Sequence, residues 1–114
     1  MQGRFLLLVN ALAFAGALAA APVARADEMP VFRIIMKDGT IEPTRLEVPA
    51  NQPFKLEISN TGVSPVEFES ASLHKEKVLI GGATSSLVFR RLAPGEYDFF
   101  DDFHPDAKAV LIAR

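Results

Sequence analysis

From residue 31 to residue 113 the chain never keeps apolar side chains on a 3.6-residue period for long, yet it repeatedly places them at every second position. A period of two belongs to a strand with one face buried. FKLEIS (54–59) shows it most cleanly, with Phe54, Leu56 and Ile58 on one side and Lys55 and Glu57 on the other. VFRIIM (31–36), TRLEV (44–48), VEFES (66–70), EKVLI (76–80), SLVFRRL (86–92), EYDFFD (96–101) and KAVLIA (108–113) are the other expected strands. Asp38-Gly39, PANQP (49–53), NTGVSP, Gly81-Gly82 and APG punctuate them, all turn formers. SASLHKEK leaves room for one short helical turn. Seven to eight short strands can each bury one face in so small a chain only if two sheets stack. The expected architecture is therefore an all-β sandwich with Greek-key connections.

Residues 1–26 read differently. A basic start (MQGR), an apolar run (FLLLVNALAFAGALAAA) and the small-x-small triplet Ala24-Arg25-Ala26 follow the order of a cleavable export signal. The run is rich in alanine and carries Asn10, which suits cleavage after Ala26 better than a permanent membrane span. Residues 27–114 are then expected to form one exported domain.

Arg4 and Arg25 fall in the signal, so ten of the twelve basic side chains remain against fourteen acids. A mildly acidic domain has no basic surface with which to neutralise phosphates, which argues against a nucleic-acid partner and favours cations. The chain has no cysteine. That excludes disulfide staples, thiolate nucleophiles, iron–sulfur ligation and thiolate copper sites together. No GxSxG, HExxH or phosphate-loop pattern occurs, so hydrolase or transferase chemistry on an organic substrate has no support.

The candidate chemistry sits in two segments. Along EYDFFDDFHPDA, alternation sends Tyr97, Phe99 and Asp101 to the core side, and a carboxylate there is costly unless paired or bound to a cation. His104 follows three residues later, ahead of Pro105, and reaches Asp101 only if the loop curls back over the end of the sandwich. The same residues also suit a simple turn with a surface histidine. In VEFES, Glu67 and Glu69 share one strand face, where a cation would relieve their repulsion, although a solvated face explains them equally. Glu76, between Lys75 and Lys77, reads as surface charge. His74 is a supplementary candidate ligand, and Met36 reads as core.

IEPTRLEVPANQPFKLEISNTG (41–62) resembles the opening strands of cupredoxins, and LAPGEYDFFDDFHPDAKAVLIAR (92–114) their closing strands and ligand loop. VEFESASLHKEKV (66–78) with the later FHP is similar to the EfeO-type cupredoxin-like domain of small periplasmic proteins that accompany bacterial iron permeases. The resemblance implies a cupredoxin-like fold, a periplasmic location, copper and/or iron as the bound metal, and help with Fe(II) oxidation for an inner-membrane iron permease and its associated periplasmic proteins. It places Asp101 where a blue-copper protein has its cysteine, His104 at the loop histidine and Glu67 near the upstream histidine, with the axial methionine position empty. A type 1 blue-copper site is therefore not expected. Carboxylates in place of thiolate and imidazole harden the ligand set towards Fe, Mn, Zn or Cu(II). The expected metal ligands are Glu67, Glu69, Asp101 and His104; the alternative function is a carrier of copper or iron without oxidase activity. Lys108 in DAKAVLIAR departs from the family pattern and would weaken a cation site beside it.

Overall fold

The computed structural model describes residues 29–114, so the expected export signal and its cleavage point lie outside the described residues. Within them the chain forms β1 (Val31–Lys37), β2 (Thr40–Glu42), β3 (Arg45–Val48), β4 (Phe54–Asn60), β5 (Val66–Ser70), β6 (Lys75–Leu79), β7 (Thr84–Phe89), β8 (Gly95–Asp101) and β9 (His104–Ala113). One sheet has the order β2-β1-β4-β7 and the other β3-β9-β8-β5-β6. β1 with β4 and β3 with β9 are parallel pairs, and the remaining pairs are antiparallel. The chain changes sheet after β2, β3, β4, β6 and β7, which generates the Greek-key order.

The sandwich is as expected, with nine strands rather than seven to eight. The additional strand is β2, three residues that leave the Asp38-Gly39 turn. Both turn residues have positive φ, 43° and 89°, and Lys37 pairs with Thr40, the geometry of a type I′ hairpin. A Cβ at position 39 would meet the His104 ring at an ordinary 3.6 Å, so strain there comes from the backbone alone. Gly39→Ala is expected to cost about 1–2 kcal/mol, read from the shift in denaturant midpoint. Residues 71–74 form the β5–β6 hairpin turn in place of the expected helical turn.

The two inner faces meet in one core. Ile34, Met36, Phe54, Leu56, Ile58, Val66, Phe68, Phe99 and Leu111 are at most 1% exposed. The Phe68 and Phe99 rings stack at 4.9 Å and those of Phe54 and Phe89 at 5.0 Å. Met36 is core, as its place on β1 implies. The last strand differs from expectation: it starts at His104 instead of Lys108, with Pro105 close to its opening, where a missing N–H donor is tolerated. Asp101 and His104 consequently face each other across a tight hairpin and need no long loop to meet.

Candidate metal centre

β5 buries Val66, Phe68 and Ser70 and turns Glu67 and Glu69 to its outer face. The β5–β6 hairpin places Glu69 directly opposite Glu76, and Glu67 opposite Val78. Carboxylate oxygens of Glu67, Glu69 and Glu76 come within 4.8 Å of one another. Loss of hydration raises the pKa of Glu67 above the usual carboxylate range, and the negative charges of Asp102, Glu69 and Glu76 raise it further. Glu69 is raised in the same way by lost hydration, then by Asp102 and Glu76. The charge repulsion is thus concentrated where the oxygens converge.

Asp101 pairs with Phe68 across β8 and β5, so its side chain takes Phe68's inward direction, and it is fully buried. Its own chain surrounds it with donors. Oδ1 accepts the N–H of Glu67 at 2.9 Å and of Phe103 at 3.0 Å, the latter an Asx turn that shapes the hairpin. Oδ2 lies 2.8 Å from Nδ1 of His104. The backbone N–H of Asp102 donates to the Glu67 carbonyl at 2.9 Å, closing the β5–β8 edge beyond the last paired residues.

The four expected ligands therefore divide into two places on opposite faces of one sheet. Glu67 and Glu69 meet each other outside, and Asp101 meets His104 inside. The physical reason is the strand period: Glu67 and Phe68 are neighbours in sequence, so whatever lines up with Phe68 points away from Glu67. Among the described residues, Asp101 and His104 join no group of three close ligand atoms. Glu76 and Asp102 belong with the outer pair, and sequence reasoning missed both. A signal for Glu76 was present, since a hairpin centred on ASLH sets Glu69 across from Glu76. His74 is exposed at that turn, in a shallow depression shared with Glu69 and Glu76.

The inner pole lacks the donor set of a type 1 blue-copper site. It has no cysteine thiolate, and both oxygens of the Asp101 carboxylate are taken up by hydrogen bonds within the chain, which leaves the His104 ring as its one donor with a nitrogen to spare. The outer cluster offers only hard oxygen donors.

Two stacked Greek-key sheets, with parallel pairs at β1–β4 and β3–β9, define a cupredoxin-type sandwich. The chain belongs to the cupredoxin-like domain family, whose model matches residues 6–113. An uncharacterised protein of Rickettsia prowazekii is 35% identical to it over 86 residues, covering 75% of this chain and 69% of that one. Dithionite-reduced auracyanin from Roseiflexus castenholzii has a similar fold, with a TM-score of 0.61 at 15% identity, covering 74% of this chain and 96% of its own. Auracyanin A from Chloroflexus aurantiacus, described as a blue copper protein, gives 0.62 at 15% identity, with coverages of 74% and 98%.

Proposed function

We propose that this chain is a periplasmic, EfeO-type cupredoxin-like protein that binds iron through the outer-face carboxylates and assists oxidation of Fe(II) for an iron permease. The observation that carries the reading is the convergence of Glu67, Glu69 and Glu76 within 4.8 Å on a sheet face where, among the described residues, none of the three forms a salt bridge. A bound cation removes that repulsion. Anionic oxygen ligands stabilise the higher charge more, so Fe(III) gains over Fe(II) and loss of an electron becomes easier. Dioxygen is the oxidant in this reading: four Fe(II) each give up one electron, and O₂ with four protons becomes two waters. The roles of Glu67 and Glu69 as ligands are retained from the sequence, Glu76 is added with Asp102 as a neighbouring negative charge, and Asp101 and His104 are withdrawn.

Anaerobic titration with Fe(II), followed by admission of oxygen, tests the proposal. Saturable binding and faster loss of Fe(II) than in protein-free buffer are expected, with both effects reduced in Glu69→Gln. Absence of Fe(II) and Fe(III) binding would overturn it. The openness of the cluster and the exposed His74 beside it favour a second reading, a carrier of iron or copper that releases its ion unchanged. Binding without acceleration, or a preference for Cu(II) that His74→Ala weakens, would select the carrier.

A further inference from the structure

We infer that the Asp101–His104 pair is a latch, which ties β5, the β8–β9 turn and the β1–β2 turn together and lets this domain fold without needing an ion at that pole. The Asp101 carboxylate is fully buried and both its oxygens are engaged by protein groups from β5, the β8–β9 turn and His104. A carboxylate so placed holds those three parts in register, because releasing it leaves buried donors unpaired.

The latch also reaches the other sheet. The His104 ring lies against Gly39 in the β1–β2 turn, and the preceding Asp38 binds the loop after β4. There Asp38 Oδ1 accepts the Ser64 hydroxyl at 2.8 Å, the Ser64 N–H at 3.2 Å and the Val63 N–H at 3.3 Å. One chain of contacts therefore runs from β5 through Asp101 and His104 to the four-stranded sheet. With its Nδ1 committed to Asp101 and its side chain 34% exposed, His104 acts as a wedge between sheets.

The test uses the metal-free chain and the variants His104→Ala and Asp101→Asn, the second keeping the side-chain volume should Asp101→Ala fail to fold. Each variant is expected to lower Tm by about 5–10 °C in the presence of chelator. Each should also speed hydrogen exchange at the amides of Glu67 and Phe103, which general destabilisation would not single out. Cu(II) should bind wild type and His104→Ala with equal affinity. Unchanged Tm and exchange in both variants would overturn the latch. So would weaker Cu(II) binding in His104→Ala, which would make the pole a metal site. Glu69→Gln alone affects neither outcome, so failure of the iron-binding reading leaves this test intact.

Discussion

Phe68→Ala will cost about 3–5 kcal/mol of folding stability, measured by denaturant unfolding, because the ring is fully buried and its removal leaves a cavity in the core. A domain of this size has roughly 5–15 kcal/mol in total, so the variant stands near the edge of unfolding. The ring stacks on Phe99 at 4.9 Å and sits between Glu67 and Glu69 on the same strand. Its loss should therefore loosen the register that brings the acids together, and metal affinity should fall in whatever fraction remains folded. Phe103→Ala is the control, since that ring is 47% exposed and its removal should change stability little. Equal losses in the two variants would contradict the described core.

Neutralising the acid cluster should move two properties in opposite directions. The triple variant Glu67→Gln, Glu69→Gln, Glu76→Gln keeps the side-chain size but removes three negative charges that the hairpin holds within 4.8 Å. Affinity for Fe(III) or Mn(II) should drop at least about 100-fold, in line with losing more than one charged oxygen ligand. The metal-free protein should become slightly more stable, because the repulsion is gone. Acid acts on the wild type in the same sense. The carboxyls of Glu67 and Glu69 titrate above their ordinary value of 4.5 in the folded chain, so the folded state takes up protons before the unfolded state does. Metal-free stability from these two groups therefore rises as pH falls through their raised values, and the gain is complete below 4.5. Bound metal is released over the same interval, as protons compete for its ligands. Calorimetric titration across that pH range checks both trends, and affinity in the triple variant equal to wild type would remove the cluster as the site.

The strands that alternate strictly were legible from sequence because burial on one face leaves its mark at every second residue, as in FKLEIS. β2 was not, since Thr40-Ile41-Glu42 offers a single buried side chain and owes its strand to the type I′ turn before it. Alternation also assigned Asp101 correctly to the core side. The same rule places Glu67 and Glu69 on the face opposite Asp101, and the loop curl expected to bring His104 to Asp101 is unnecessary because the two pair directly. Glu76 was legible only through the exact extent of its turn. Cross-strand partners depend on where the turn residues end, and the left-handed backbone of His74, φ 56°, fixes that point in a way composition does not show. Asn60 was overlooked altogether. It is 1% exposed, and its amide donates to the carbonyls of Ser64 and Leu79 while accepting from Gly62, which pins the loop after β4.

The place of β9 has a consequence for how the chain acquires its shape. This strand lies inside its sheet, paired with β3 on one side and β8 on the other, yet among the described strands it comes last in chain order. Until residues 104–113 have been synthesised, β3 has no partner in its sheet, and the acidic hairpin can pair only with β8 through a short register. Assembly of this sheet must therefore wait for residues 104–113, and a chain truncated before Ala109 should stay protease-sensitive along its whole length.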